Sequence, residues 1–235
     1  MTKILAINGS PHLDKGNTGT LLAPFVEGLR ETGAEVELYY ASRLRVKSCS
    51  CQDMYCWFKE PGICCIRDEM DSLYPKLKEA ETLVFATPVH IPLPGDMQNL
   101  INRLCPLMLP KLEMREGRTR ARLRENVNLR KFVLVATGGW WEIENFGTVV
   151  RIVEELAATS SVEFAGALLR PHSHLMKQKG EFTADGLSVL AAAKAAGREL
   201  IETGAFREET LSAISRPLIS LEEVLRRRAA GQNYS

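Results

Sequence analysis

Short apolar runs alternate with longer stretches of helical periodicity along most of this chain, which strongly limits the folds it can adopt. Five runs have the character of buried strands: 3–8, 35–40, 82–87, 131–137 and 163–169. Apolar residues at three- and four-residue spacing predict helices over 17–32, 68–80, 96–104, 145–158 and 184–202. This alternation predicts an α/β protein with a doubly wound five-stranded parallel sheet in a three-layer α/β/α arrangement, whose ligand edge is formed by the loops after the strands.

The composition is that of a globular protein. The chain has 235 residues, of which 45% are hydrophobic and 25% charged, and a formal net charge of +1. This balance gives no reason to expect binding to nucleic acid or to an anionic membrane. The chain also lacks a run of roughly 18 apolar residues, and its first residues do not resemble a signal peptide. We therefore expect a cytoplasmic protein without nucleic-acid or membrane partners.

Three segments interrupt the repeating pattern. Segment 45–67 holds five of the six cysteines, and segment 111–131 has eight basic against three acidic residues. The third, 206–235, places apolar residues at helical spacing ahead of three consecutive arginines. We expect one core domain over 1–205 and a C-terminal extension over 206–235 that packs on its own subunit or contacts another. The arginine-rich stretch predicts a local positive patch, as either a solvated insertion or an attractor of anions.

The first predicted strand runs into a polar loop and then a helix, Asn-Gly-Ser-Pro-His-Leu-Asp-Lys-Gly-Asn-Thr over residues 8–18. Ser10, Asn17 and Thr18 supply donors beside the unpaired N–H groups of a helix start, which is a common phosphate site. His12 and Lys15 add positive charge. The loop lacks both G-x-G-x-x-G and the Lys-Ser/Thr pair of a Walker loop, and the alternative interpretation is a helix N-cap at Asn17.

The residues Asn-Gly-Ser-Pro-His followed by Gly-Asn-Thr resemble the FMN-phosphate loop of the NADPH-dependent FMN reductase and iron–sulfur flavoprotein family, which has a flavodoxin-like fold. Segment 86–94, ATPVHIPLP, is similar to the family's Thr-Pro-Val-Tyr loop, with His90 in place of the aromatic residue. The helix that follows has Asn102 where the family commonly has an acid before Arg103. Segment 136–141, ATGGWW, stands where the family contacts the flavin edge.

The resemblance covers most of residues 3–170 and implies FMN as cofactor, with NAD(P)H as co-substrate. The cofactor-binding residues that it implies lie in three loops: Ser10, His12, Asn17, Thr18, Pro88, Val89, His90, Ile91, Thr137, Gly138, Gly139 and Trp140. Trp140 or Trp141 is expected to cover the flavin or to close a dimer interface, and the alternative is that these tryptophans are core or surface anchors. His172 and His174 follow the fifth strand and are therefore expected near the same ligand edge; they are interpreted as loop residues, with metal binding or proton relay as the alternative.

The cysteine segment leaves several interpretations open. Cys49, Cys51, Cys56 and Cys64 are separated by one, four and seven residues, whereas the iron–sulfur flavoproteins carry a more compact series. Four such thiolates are able to hold a [4Fe-4S] cluster. Buried or redox-active thiols are the alternative, and zinc is disfavoured because paired C-x2-C spacing is missing. Cys105 lies in an apolar stretch and is interpreted as a packing residue.

The function that the resemblance implies is an FMN-dependent oxidoreductase that takes hydride from NAD(P)H and passes electrons to a small molecule or a protein. Because the flavin supplies the chemistry, no catalytic side chain is expected. An iron–sulfur flavoprotein acting as an electron-transfer carrier is the first alternative, and a scaffold that has lost its flavin is the second. The resemblance also implies a homodimer or homotetramer.

Overall fold

A five-stranded parallel sheet forms the centre of the computed structural model, which describes residues 1–50 and 53–231. The strands, numbered along the chain, are β1 (Lys3–Asn8), β2 (Glu35–Tyr40), β3 (Thr82–Pro88), β4 (Met108–Arg115), β5 (Arg118–Leu123), β6 (Lys131–Thr137), β7 (Glu163–Arg170), β8 (Lys177–Gln178) and β9 (Glu181–Phe182). The central sheet has the order β2-β1-β3-β6-β7, so the five predicted strands are confirmed. Its order is that of a flavodoxin-like fold.

Helices cover both faces of the sheet. They are α1 (Asn17–Glu31), α2 (Tyr55–Phe58), α3 (Met70–Glu79), α4 (Gly95–Asn102), α5 (Gly147–Ser160), α6 (Ala184–Glu202), α7 (Glu208–Ser215) and α8 (Leu221–Ala229). Helices α1, α6 and α7 pack on one face, while α3, α4 and α5 pack on the other. The predicted three-layer architecture is therefore confirmed. None of the helices in the described ranges is long and apolar enough to cross a membrane.

The two core layers follow from the alternation of side chains along each strand. In β1, Ile4 and Ala6 face the layer of α1 and α6, whereas Leu5 and Ile7 face the opposite layer. All four side chains are at most 2% exposed, which is why the strand appears in the sequence as a continuous apolar run. Burial on both faces fixes the register of β1 between its neighbours.

Close contact between α1 and α6 depends on glycine. A Cβ atom on Gly28 would lie 2.0 Å from the carbonyl oxygen of Lys194, and one on Gly197 would lie 2.2 Å from that of Phe25. Real Cβ atoms do not approach backbone atoms this closely, so any side chain would force the helices apart. These two glycines bring α6 against the helix that begins at the ligand edge of the sheet.

The arginine-rich insertion forms an antiparallel hairpin, β4–β5, which sequence periodicity did not predict. Arg118 and Arg120 contact the carboxylate of Glu155 on α5 at 2.8 and 2.7 Å. Arg115 donates to the backbone oxygens at the end of the same helix. The insertion is therefore a hairpin docked on α5, with three of its arginines engaged in that contact.

The C-terminal extension packs on its own chain. Ile214 of α7 is fully buried among residues of β7 and α6, and Val224 of α8 is 8% exposed. Two backbone oxygens of the extension accept hydrogen bonds from the buried Arg170 at the end of β7. The extension thus reaches the edge of the sheet at which the strands end.

Candidate functional site

The loops after β1, β3, β6 and β7 surround one cavity of about 290 Å³ at the carboxyl edge of the sheet. In the β2-β1-β3-β6-β7 order, the chain reverses direction across the sheet beside β1, and open α/β folds bind ligands at such a point. The cavity is lined by Ser10, Pro11, His12, Gly16, Asn17, Thr18, Pro88, Val89, His90, Thr137, Gly138, Gly139, Ser173 and His174. Ten of the twelve predicted cofactor-binding residues therefore lie around one space.

The first loop holds its shape through internal hydrogen bonds. Asn8 Oδ1 accepts from the backbone N–H of Ser10 at 2.9 Å, and its Nδ2 donates to the carbonyl oxygen of Leu13 at 3.3 Å. Ser10 Oγ accepts from the N–H of His12. Asn8 is completely buried at the end of β1, and its side-chain amide fixes the conformation of the loop through these two hydrogen bonds.

Helix α1 starts at the cavity without a side-chain cap. Gly16 is the N-cap and has no side chain, whereas Asn17 is the first helical residue. The alternative interpretation of Asn17 as an N-cap is therefore wrong. The first N–H groups of a helix have no partners within it, and the macrodipole gives them partial positive charge. The start of α1 therefore gives the cavity a region that attracts anions.

Glycines allow the first loop and α1 to approach each other. A Cβ on Gly19 would lie 2.4 Å from the carbonyl oxygen of Leu13, and one on Gly16 would lie 2.7 Å from Ser10 Oγ. A side chain at Gly19 would push the loop backbone away from the helix start. The loop and the uncapped N–H groups are consequently presented to the same space.

Hydrogen bonds join the four loops into one rim. The buried hydroxyls of Thr18 on α1 and Thr137 at the end of β6 are 2.7 Å apart. The carbonyl oxygen of Thr137 accepts from the N–H of Val89 at 2.8 Å, which attaches the loop after β3. The carbonyl oxygen of Gly138 accepts from both the N–H and Oγ of Ser173, which attaches the loop after β7.

Two predicted cofactor-binding residues do not line the cavity. Ile91 is fully exposed at the tip of the loop after β3. Trp140 is 58% exposed and lies under the guanidinium of Arg228 from α8, with 4.9 Å between Arg228 Cζ and the ring centroid. The neighbouring Trp141 donates from Nε1 to the carbonyl oxygen of Ile219 at 3.0 Å. Trp141 therefore anchors the C-terminal extension, in agreement with its interpretation as a structural anchor.

The cavity wall includes Ser173 and His174, which were not among the predicted cofactor-binding residues. The position of His174 after the fifth parallel strand predicts that it lies at the ligand edge, because every such loop meets the same edge of the sheet, but it does not predict a role in binding the cofactor. His172 does not line the cavity and instead contacts the C-terminal extension.

His172 is a buried neutral acceptor behind the cavity wall. Its Nε2 accepts from the N–H of Leu218 at 3.0 Å and from Nη2 of Arg170 at 2.8 Å. Burial, together with the charge of Arg170, lowers the pKa of His172 to about 4. This histidine fastens the C-terminal extension to the loop that carries Ser173 and His174.

The cysteines are placed only in part. Cys56 and Cys64 are buried and Cys49 is exposed, whereas Cys51 lies outside the described residues. Within 1–50 and 53–231, no three His, Cys, Asp or Glu side chains are grouped as a metal site. The four-cysteine cluster stays a prediction.

A buried ion pair attaches the cysteine segment to α4. Arg103, which follows α4, donates to both carboxylate oxygens of Asp68 at 2.7 and 3.1 Å. It also donates to the carbonyl oxygens of Lys47 and Ile66, so both ends of the segment are fixed. Burial opposes ionisation of Asp68, but the hydrogen bonds from Arg103 and from the backbone N–H groups of Lys47 and Met70, together with the charge of Arg103, hold the pKa of this carboxyl below its usual range.

Comparisons with known proteins identify the family that the sequence motifs resemble. The sequence profile of the NADPH-dependent FMN reductase family matches residues 2–140, more than half of the chain. An iron-sulfur flavoprotein of Archaeoglobus fulgidus is 33% identical over 102 residues, which are 43% of this chain and 48% of that protein. An iron-sulfur flavoprotein of Methanocaldococcus jannaschii, MJ1083, is 31% identical over 108 residues, 46% of this chain and 54% of that protein. The matches thus span about half the length of these curated relatives.

Solved structures resemble this fold over a larger share of the chain. An NAD(P)H:quinone oxidoreductase from Methanothermobacter marburgensis superposes with a TM-score of 0.58 at 18% identity, covering 85% of this chain and 98% of that one. An FMN-dependent NADH-azoreductase from Bacillus anthracis, solved in complex with FMN, gives 0.57 at 16% identity, covering 85% and 99%. Both likenesses show the fold, and with the profile match over 2–140 they lead to one assignment: the chain belongs to the NADPH-dependent FMN reductase family.

Proposed function

We propose that this protein is an FMN-dependent oxidoreductase that takes hydride from NAD(P)H and passes electrons to a small-molecule or protein acceptor. Membership of the FMN reductase family supports the proposal. The observation that carries it is the uncapped start of α1, which faces a cavity at the switch point of the sheet. Such a helix start suits the dianionic phosphate of FMN.

The residues around the cavity fit FMN in their donor chemistry. Ser10, Asn17 and Thr18 surround the helix start with hydroxyl and amide groups, and Gly16 leaves the first N–H groups accessible. These residues would hold the phosphate. The isoalloxazine ring would lie between the 88–90 and 137–139 loops, where the wall consists largely of backbone and small side chains.

When bound, FMN supplies the redox chemistry by accepting hydride at N5. The contribution of the chain is to bind and orient. The hydrogen bond between Thr18 and Thr137 fixes the phosphate region relative to the ring region, while Ser173 fixes the backbone of Gly138. Because holding donor and acceptor in line accounts for most of the rate gain in such a transfer, no acid or base side chain is required.

A second candidate function is an electron carrier with a [4Fe-4S] cluster held by Cys49, Cys51, Cys56 and Cys64. It is favoured by the names of the curated relatives, which are iron-sulfur flavoproteins. A carrier of this kind should contain stoichiometric iron and oxidise NAD(P)H negligibly. Cytoplasmic location and assembly into a homodimer or homotetramer belong to the same proposal and await separate measurement.

The visible spectrum of protein purified without oxygen tests the function directly. We expect two resolved flavin bands that bleach on addition of NADPH. Broad brown absorbance beneath them, with about four irons per chain, would favour the carrier. A colourless protein that does not take up added FMN would contradict both.

The phosphate site is tested by Asn17→Ala, with Asn128→Ala as the matched control at the opposite edge of the sheet. Loss of one hydrogen bond to a charged group should weaken FMN binding about tenfold or more. Asn128→Ala should leave the FMN affinity unchanged. Equal affinities in the two variants would show that the phosphate is held elsewhere.

A further inference from the structure

The loop after β6 places two consecutive glycines at the wall of the cavity. Gly138 and Gly139 line the side on which the isoalloxazine ring is proposed to lie, and the loop has no regular secondary structure. Glycine loses more conformational freedom on folding than any other residue. The position of this wall therefore depends on contacts from other parts of the chain.

Hydrogen bonds join the loop after β6 to the end of β7 and the loop that follows it. The N–H of Gly138 donates to the carbonyl oxygen of Arg170 at 3.0 Å, and its carbonyl oxygen accepts from the N–H of Ser173 at 2.9 Å. The carbonyl oxygen of Trp140 accepts from the N–H of His172 at 2.8 Å. The wall thus keeps its position only while the loop after β7 keeps its own.

The C-terminal extension holds the loop after β7 in turn. The guanidinium of Arg170 donates to the carbonyl oxygens of Ile214 and Arg216 at 2.6 and 2.9 Å. The Nε2 atom of His172 accepts from the N–H of Leu218 at 3.0 Å. Both of these side chains are buried, so water does not replace the extension as their partner.

Trp141 connects the loop after β6 to the extension directly. Its Nε1 donates to the carbonyl oxygen of Ile219 at 3.0 Å. The residues from Trp141 onward lie beyond residues 2–140, which the family profile matches. Family membership therefore does not account for these contacts.

Detachment of the extension would be costly. Within the described ranges, the hydrogen bonds of the fully buried Arg170 go to three carbonyl oxygens and one imidazole nitrogen. Two of these four acceptors belong to the extension, and a buried cation that loses acceptors destabilises the fold. Ile214 would also lose its burial. The extension is therefore a permanent support of the wall, and a wall fixed in advance binds a ring with less loss of entropy.

We propose that the C-terminal extension retains FMN in the protein throughout the reaction cycle, by fixing the loop after β6 through Trp141 and His172. The inference rests on the proposed function, because it concerns the same cavity. It adds that FMN is a resident cofactor, so that the electron acceptor comes to the loaded protein and the reduced flavin does not leave. Trp141 and His172 are positioning residues, because they act on the ring through the backbone of the wall.

The test compares Trp141→Phe with Trp57→Phe in the FMN-loaded full chain. Both tryptophans are half-buried and both donate from Nε1 to a carbonyl oxygen, that of Trp57 to Cys105 at 2.9 Å. Each substitution keeps an aromatic ring and removes the donor. We expect FMN to dissociate from Trp141→Phe about three- to tenfold faster than from wild type, which is the effect of one hydrogen bond. Trp57→Phe should release FMN at the wild-type rate.

Two further measurements separate positioning of the ring from a general loss of stability. Riboflavin has the same ring without the phosphate, so its dissociation should quicken by the same factor in Trp141→Phe. With ferricyanide as the electron acceptor, NADPH oxidation by diluted wild-type protein should not respond to added free FMN. Diluted Trp141→Phe should lose activity that added FMN restores, whereas Trp57→Phe should behave as wild type.

The outcomes distinguish this inference from the proposed function. Equal FMN dissociation rates in Trp141→Phe and Trp57→Phe would overturn the inference and leave the proposed function intact. Wild-type activity that rises with added free FMN would also overturn it, because the flavin would then exchange during turnover. A wild-type protein that takes up no FMN would contradict the proposed function, and the role of the extension with it.

Discussion

Among single residues, Arg103 shows how one buried charge organises a poorly patterned segment. Its guanidinium is inaccessible to solvent and its four hydrogen bonds go to Asp68, Lys47 and Ile66. Asp68 in turn accepts from the backbone N–H groups of Lys47 and Met70. Since the cysteine segment has little secondary structure of its own, this pair provides much of its attachment.

Arg103→Ala should destabilise the protein by about 3–5 kcal/mol, because it leaves a buried carboxylate without its partner. The matched control is Arg67→Ala, which removes an exposed pair with Asp71 and should cost about 0.5 kcal/mol or less. Urea unfolding followed by circular dichroism gives both values. If the two variants unfold within about 1 kcal/mol of each other, the ion pair is not the attachment of the segment.

At the level of elements, the loop after β7 couples the C-terminal extension to the cavity through a neutral imidazole. Protonation of His172 would remove the acceptor that both Leu218 and Arg170 use, and it would place a cation against Arg170. The folded pKa is about 4, against 6.5 for the free side chain. Between these values the unfolded chain binds a proton that the folded chain does not, so stability falls as the pH falls.

From pH 7 to pH 4.5 this single group should lower the free energy of unfolding by up to roughly 2.5 kcal/mol. His172→Gln keeps an acceptor that does not titrate, so the decrease should be smaller in the variant by about that amount. The pKa of His174 is lowered as well, which leaves a residual slope in the same direction. The free energy of unfolding of both proteins is measured at pH 7.0, 5.5 and 4.5. If it falls by the same amount in the wild type and in His172→Gln, titration of His172 does not contribute to the pH dependence of stability.

The same elements show how far the sequence could predict this structure. The central strands β1, β3 and β6 are buried on both faces, so their apolar runs were recognisable from local sequence. The loop from Asn8 to Thr18 was recognisable too, because its polar residues and glycines are contiguous in the chain. Ten predicted site residues therefore lie around the cavity, although their contacts with FMN stay a prediction.

What the sequence did not predict depends on distant partners. The β4–β5 hairpin docks through Arg118 and Arg120 onto Glu155, more than 30 positions away, and its strands lack an apolar alternation. The orientation of Trp140 is set by Arg228, which lies near the other end of the chain. Local patterns carry no information about such pairs. The sequence therefore predicted that Trp140 lies near the cavity, but not which residue contacts its ring.

For the whole molecule, binding of FMN should raise the free energy of unfolding. The cavity is formed by the loops after β1, β3, β6 and β7. A ligand that fills it would therefore contact the loops after four of the five strands at the same time. A ligand present at 100 times its Kd stabilises the folded state by about 2.7 kcal/mol if it does not bind the unfolded chain. For a chain of 235 residues this corresponds to a rise in Tm of about 5–10 °C.

Riboflavin, which has the same ring without the phosphate, separates the two halves of the site. With the apoprotein, FMN should bind at least about tenfold more tightly than riboflavin, since the phosphate accepts hydrogen bonds at the uncapped start of α1. Thermal unfolding at matched ligand concentrations compares the Tm shifts that FMN and riboflavin produce. Asn17→Ala should reduce the difference between these two shifts, whereas Asn128→Ala should leave it unchanged. Equal Tm shifts from riboflavin and FMN in the wild-type protein would mean that the loop after β1 holds no phosphate, and the proposed orientation of the cofactor would have to be abandoned.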